Sequence, residues 1–155
     1  MNAYADTSFL ISLYGRDPHS PAALAEVRVH KPLFVLTPFV EMEFTNALEL
    51  RVFHKEWAPA EARAVREEFV QDLGSGVLRI ERLPDEVFVL ARRLSRRHTG
   101  KVGTRSLDII HVASALLLRP DVFYSFDERQ RRLAEAEGLT VRPALIEPRT
   151  TKGRQ

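Results

Sequence analysis

The chain reads as an α/β protein, a three-layer sandwich in which a mostly parallel sheet of four or five short strands lies between helices. Three observations predict this. Short apolar runs recur at residues 2–5, 33–36, 77–83, 122–126 and 139–142. The stretches between them carry helical spacing and are long enough for the crossovers that parallel strands require. Proline and glycine stand where such helices would start and stop.

Residues 2–5 form the first expected strand, and residues 6–14 the helix after it. Pro18 and Pro21 open a short second helix that reaches Val29, and Pro32 and Pro38 bracket a strand at 33–36. Pro38 suits the first turn of a helix running to His54. A further helix runs from Pro59 to Leu73, where Gly74-Ser75-Gly76 stops it. Val77, Leu78, Ile80 and Leu83 mark a strand over 77–83. Pro84 begins a helix to His98, and residues 99–104 read as a flexible loop. Residues 107–118 are almost wholly apolar, so that helix is expected to be buried on every side. Residues 122–126 make a strong strand, Asp127 opens a helix that Gly138 stops, and 139–142 add a last strand. Phe39, Phe44, Phe53 and Trp57 follow the helical pattern or its edge and are expected in the core.

The 155 residues suit one domain, placed at 1–145, with a basic polar tail at 146–155 carrying Arg149, Lys152 and Arg154. A hydrophobic fraction of 45% is enough to build a core and argues against wholesale disorder. No run approaches the ~18 apolar residues of a membrane span. The first residues lack the basic start and apolar segment of a secretory signal. There is no cysteine, which excludes a disulfide framework and thiolate metal sites. A cytoplasmic protein is therefore expected. A net charge of +2 does not by itself mark a nucleic-acid binder. The cluster Arg92, Arg93, Arg96, Arg97, His98, Lys101 and Arg105 is either a solvated helix face or a basic patch for phosphates.

Four acids stand in surroundings unlike those of surface decoration. Asp6 follows the first strand and precedes a helix, and Asp127 repeats that arrangement. Each reads as a helix N-cap, yet both would fall on the same carboxyl edge of one sheet, where α/β chemistry gathers. Glu43 projects among Val40, Phe44, Ala47 and Leu50, an apolar stripe that makes a carboxylate expensive unless something compensates. Asp108 sits in the first turn of the apolar helix 107–118. The helix dipole favours it there but does not explain a charge on an otherwise buried element. Four carboxylates brought together would repel one another. A divalent cation resolves the conflict, and hard oxygen ligands suit Mg²⁺ or Mn²⁺. The five histidines, His19, His30, His54, His98 and His111, have no zinc-site spacing. A carboxylate-held Mg²⁺ typically serves phosphate chemistry.

The stretches Ala5-Asp6-Thr7-Ser8, Pro38-Phe39-Val40-Glu41-Met42-Glu43-Phe44-Thr45-Asn46-Ala47-Leu48, Ser106-Leu107-Asp108-Ile109-Ile110-His111-Val112-Ala113-Ser114-Ala115-Leu116 and Tyr124-Ser125-Phe126-Asp127-Glu128-Arg129-Gln130 occur in this order. In those motifs the chain resembles PIN-domain nucleases, most closely the VapC-like toxins of bacterial toxin–antitoxin pairs, from Ala5 to about Arg142. The resemblance implies the sandwich described above and a Mg²⁺- or Mn²⁺-dependent endoribonuclease. Asp6, Glu43, Asp108 and Asp127 would be its acidic quartet and metal ligands. It further implies a homodimer and a cognate antitoxin covering the active-site groove.

Around the quartet, Thr7, Ser8 and Ser125 either cap locally or orient ligands through hydrogen bonds. Asn46 either flanks its helix or positions water or RNA. Arg105 either faces solvent or contacts phosphate. His111, one turn beyond Asp108, reads as a core histidine rather than a ligand or base. Gly100 to Thr104 superficially resembles a phosphate loop but lacks its residue order. An aspartate-nucleophile phosphotransferase would want a second Asp two positions after Asp6, where Ser8 stands. A non-catalytic PIN-fold module that binds RNA or protein is the remaining alternative.

Overall fold

A computed structural model describes residues 1–144; the polar tail at 146–155 lies outside the described residues. The strands are β1 (Asn2–Ala5), β2 (Leu33–Leu36), β3 (Leu78–Ile80), β4 (Val122–Tyr124) and β5 (Val141–Arg142). The helices are α1 (Thr7–Tyr14), α2 (Ser20–His30), α3 (Pro38–Phe53), α4 (Pro59–Ser75), α5 (Val87–Leu94), α6 (Gly100–Val102), α7 (Ser106–Leu118) and α8 (Glu128–Ala136). The sheet order is β3-β2-β1-β4-β5, and every pair is parallel. The sheet is thus entirely parallel, with all five expected strands present.

That order decides where the chain can do chemistry. From β1 it steps outward through β2 to β3, then crosses back to β4 and out to β5 on the other side. Right-handed crossovers then put α1 to α4 on one face and α5 to α8 on the other. The contacts agree, since α1 packs on α2 and α3, whereas α7 packs on α5 and α8. The direction reverses at the β1–β4 junction, so a crevice opens beyond the carboxyl ends of these two strands. Helices α1, α3 and α8, which directly follow β1, β2 and β4, begin at that same edge, each bringing the partial positive charge of its N-terminus with it.

The sheet is apolar because helices cover both faces. Tyr4, Phe34, Leu36, Phe123 and Tyr124 are buried, and Tyr4 stacks on Phe123 with ring centroids 5.6 Å apart. Phe9, Phe44, Leu48 and Phe69 close the core on the α1–α4 side.

Several expectations need correction. Residues 99–102 are not loop, because a π-helical turn over Ser95–Thr99 carries α5 on into α6. The stop comes at Gly103, whose φ of 72° few other residues adopt readily. The third strand spans only Leu78–Ile80, and the helix after it begins at Val87 rather than at Pro84. Helix α7 is not buried on every side, for Leu107 is exposed while Asp108, His111 and Val112 face inward. Phe53 and Leu50 are also exposed, so the inward stripe of α3 is Val40, Phe44 and Leu48 with half-buried Ala47.

Candidate active site

The four acids come from four helix beginnings. Asp6 and Asp127 are the N-caps of α1 and α8, Asp108 is in the first turn of α7, and Glu43 is in the second turn of α3. All four elements start at the carboxyl edge of the sheet, so topology gathers residues that lie far apart in sequence. Glu43, Asp108 and Asp127 line one cleft of about 440 Å³, with Thr7, Ser8 and Arg105 on its walls. Asp6 is fully buried beside Ser8.

Two serines register Asp6 against β4. The Phe126 N–H donates to Ser8 Oγ at 2.9 Å, and the Asp127 N–H to Ser125 Oγ at 3.0 Å. Each hydroxyl proton is left for Asp6, which Ser8 Oγ reaches at 2.7 Å and Ser125 Oγ at 2.6 Å. The Phe9 N–H adds a capping bond at 2.9 Å. Each serine thus makes both a local turn hydrogen bond and one to the Asp6 carboxylate. Burial pushes the Asp6 carboxyl above the usual carboxylate range, although the charge of His111 and the hydrogen bonds from Ser125, Phe9 and Ser8 oppose it.

Glu43 is compensated differently. Its Oε2 accepts from Thr7 Oγ1 and from His111 Nε2, the latter at 2.5 Å. An ionised carboxylate only accepts, so Nε2 carries the proton. Nδ1 then faces the Tyr4 hydroxyl at 3.1 Å. Burial alone would raise the Glu43 carboxyl, but His111, Thr7 and Arg105 outweigh it and hold the group below its ordinary range. His111 is wholly buried, as a core histidine would be, yet its polar edge serves the site. The i, i+3 spacing from Asp108, which puts both side chains on one face of α7, was the available signal.

Asp108 Oδ2 accepts from the Arg105 N–H at 2.8 Å, and its Oδ1 faces Gln130 Nε2 at a long 3.4 Å. Gln130 lines the cleft, and its buried Oε1 has no hydrogen-bond partner among the described residues. Asp127 Oδ1 accepts from the Arg129 and Gln130 N–H groups at 2.9 and 3.0 Å. The exposed Arg105 guanidinium lies 3.6 Å from Asp108 and 3.9 Å from Asp127. The Arg105 guanidinium makes no hydrogen bond to either acid among the described residues and is largely exposed, so it can turn to another anion.

Asn46 is not part of this cleft. It is exposed on the outer side of α3, in a separate depression with Glu41, Met42 and Thr45. Four residues after Glu43, Ala47 returns to the cleft wall, as 3.6 residues per turn require. Residues 100–104 carry no phosphate loop either, since 100–102 are helical. Among the described residues no three acidic or imidazole groups converge into a cation cage as they stand. Serine, threonine, amide and imidazole donors bind at least one oxygen of each of the four acids. The cleft also takes in Asp17, His19, Arg51 and Phe126, for which the sequence offered no distinguishing pattern.

The family model of the PIN domain matches residues 3–136. No curated protein sequence matches the chain. Among solved structures, it is similar to Mycobacterium tuberculosis VapC20, described as a sarcin-ricin loop cleaving toxin. The identity is 21% and the TM-score 0.67, over 91% of this chain and 99% of that one. FitAcB from Neisseria gonorrhoeae aligns with a TM-score of 0.65 at 14% identity, over 90% of this chain and 95% of that one. VapBC2 from Rickettsia felis, bound to a DNA fragment from its promoter, aligns with a TM-score of 0.64 at 11% identity, over 92% and 98%. At these identities the likeness is one of fold, and it agrees with the all-parallel sandwich described above. With the family model spanning all four acids and their helix N-termini, the chain belongs to the PIN domain family.

Proposed function

We propose that this protein is a divalent-metal-dependent endoribonuclease acting as the toxin of a toxin–antitoxin pair. One observation carries the reading: four helix N-termini hold Asp6, Glu43, Asp108 and Asp127 at the switch point of a parallel sheet, three of them on one cleft. The donor set fits a hard cation. Glu43 Oε1 and Asp127 Oδ2 have no hydrogen bond among the described residues, and Asp108 Oδ1 has only the long one to Gln130. Asp108, Glu43 and Asp127 would hold Mg²⁺ or Mn²⁺, with Asp6 completing the set. A cation bound there supplies polarisation of the scissile phosphoryl group and offsets charge on the leaving oxygen.

The chain's own side chains do the rest. Thr7 and His111 fix one oxygen of Glu43, and Ser8 and Ser125 fix Asp6. Arg105 and Arg51, both on the cleft, suit phosphate oxygens on either side of the scissile bond. The matching neighbours include a toxin that cleaves the sarcin-ricin loop and an assembly bound to promoter DNA. These support an RNA substrate and a cognate antitoxin partner here; we further propose a homodimer, with residues 1–145 as the working unit. No helix among the described residues is long and apolar enough to cross a membrane, and we place the activity in the cytoplasm.

Cleavage of a mixed RNA pool tests the reading. Cutting should require added Mg²⁺ or Mn²⁺, stop with EDTA, and vanish in Asp6→Asn and Asp108→Asn. Growth arrest on expression, relieved by the same substitutions, would support the toxin role. The burial of Asp6 favours a second reading, a PIN-fold module that binds RNA or protein without cutting. It predicts RNA retention with no metal-dependent cleavage by the wild type.

A further inference from the structure

Three aromatic rings stack from the core out to the acidic cleft. Phe9, fully buried on α1, lies 5.6 Å from Phe126 with planes 16° apart. Phe126, half-buried after β4, lies 4.4 Å from His19 with planes 14° apart. His19 ends the ladder, is exposed, and lines the same cleft as Glu43, Asp108 and Asp127.

The ladder is held in register with the acids. The Phe126 N–H is bound by Ser8 Oγ, which itself donates to Asp6. His19 is fixed by its own N–H to Asp17 Oδ1 at 2.8 Å, and Asp17 Oδ2 is held by Ser12 Oγ at 2.8 Å. The one further carboxylate on this wall is thereby engaged by the protein. The imidazole has Phe126 against one face and is otherwise exposed. A flat ring already ordered by its neighbours offers a stacking partner little further loss of freedom.

We infer that His19, backed by Phe126 and Phe9, is a stacking subsite for an unpaired base of a single-stranded RNA whose adjoining phosphate lies in the acidic cleft. Single-stranded RNA is recognised by splaying bases onto aromatic faces while cations follow the backbone. Arg105 on the same cleft supplies such a cation, and Arg51 also lines it but is held by Glu56 at 2.7 Å. A base on His19 would set which nucleotide neighbours the cut by stacking strength rather than by reading hydrogen bonds. This rests on the nuclease reading and adds to it a residue that selects the nucleotide beside the cut.

The test uses the full chain carrying Asp108→Asn, with Mg²⁺ and a single-stranded oligoribonucleotide of about ten nucleotides containing 2-aminopurine. His19→Ala should weaken binding about tenfold and abolish the quenching that stacking produces, whereas His19→Phe and His19→Tyr should stay within about twofold of His19. On an abasic oligonucleotide, H19A and the parent should bind alike. Equal affinity and equal quenching for H19A and the parent overturn the subsite and leave the ladder to packing or to a protein side chain. If the wild type still cuts a mixed RNA pool in that case, the nuclease reading survives alone. RNA that is neither bound nor cut overturns both.

Discussion

At the N-terminal end of α8, Asp127 joins Asp108 and Glu43 around a cleft whose positive contributions are helix N-termini, hydroxyls, the loosely held Arg105 and Arg51, which Glu56 binds at 2.7 Å. At the C-terminal end, Glu137 accepts from His98 Nε2 at 2.5 Å and from Arg97 Nη1 at 2.9 Å. Burial would raise the Glu137 carboxyl, but His98 and Arg97 outweigh it and hold the group below its ordinary range. Asp6 departs in the opposite direction. A carboxylate at a helix C-terminus faces the negative end of the dipole and needs cations, whereas acids at N-termini are tolerated without them. One end of the helix is therefore neutralised within the protein, and the other keeps negative charge to offer to a ligand.

The largest effect that would break this comparison comes from Asp6. In the fold its raised pKa means that ionisation opposes stability: the penalty is absent below the unfolded carboxylate range and grows as pH rises through the folded value. Asp6→Asn should therefore abolish cleavage by more than about a hundredfold and yet raise Tm by a few degrees at neutral pH. Asp108→Asn should match the loss of cleavage. Steady-state RNA cutting and thermal melting read both quantities. A lowered Tm for Asp6→Asn would show that its hydrogen bonds, rather than its burial, dominate.

Next in size is His111. Replacing it by Leu removes the donor that fixes Glu43 Oε2 and the partner of the Tyr4 hydroxyl. Cleavage should fall about 10- to 100-fold and stability by about 1–3 kcal/mol. His111→Gln, which can restore the donor, should recover part of the activity. Denaturant melts beside rate measurements separate the two losses.

Ser125→Ala isolates the buried hydroxyl. It strips a donor from Asp6 and leaves the Asp127 N–H without its acceptor, for a cost of about 1–3 kcal/mol in a urea titration. Smallest is Glu137→Gln. The stabilisation from Glu137 is present above the ordinary carboxylate range and is lost as pH falls through its lowered folded value. The substitution should cost about 1 kcal/mol or less at neutral pH, a difference that disappears in acid. RNA cutting should be unchanged. Loss of cutting in Glu137→Gln would mean that the two ends of α8 are not independent.

The strand and helix alternation was legible because proline and glycine punctuate it and because apolar residues concentrate in the strand runs, without a break in β2 and β4. The acids were legible too, as each carries a charge where its local pattern calls for a cap or an apolar residue. Asn46 and His111 were not. Both lie one turn from an acid of the quartet, and only the direction of α3 and α7 relative to the sheet turns one outward and the other inward. The exposure of Leu107 and Phe53 was hidden for the same reason, since apolar character does not say which side of a helix has a neighbour.

By itself, then, the amino-acid order determined the kind of layers, the starts of the helices that carry the four acids, and the presence of those acids at or near them. Local propensity and periodicity act over a few residues, and these features need no more. Which acid is buried, which keeps a free oxygen on the cleft, and which rings meet beside it were decided only when β1 and β4 became neighbours. Those contacts join residues about a hundred positions apart, and packing geometry alone sets them.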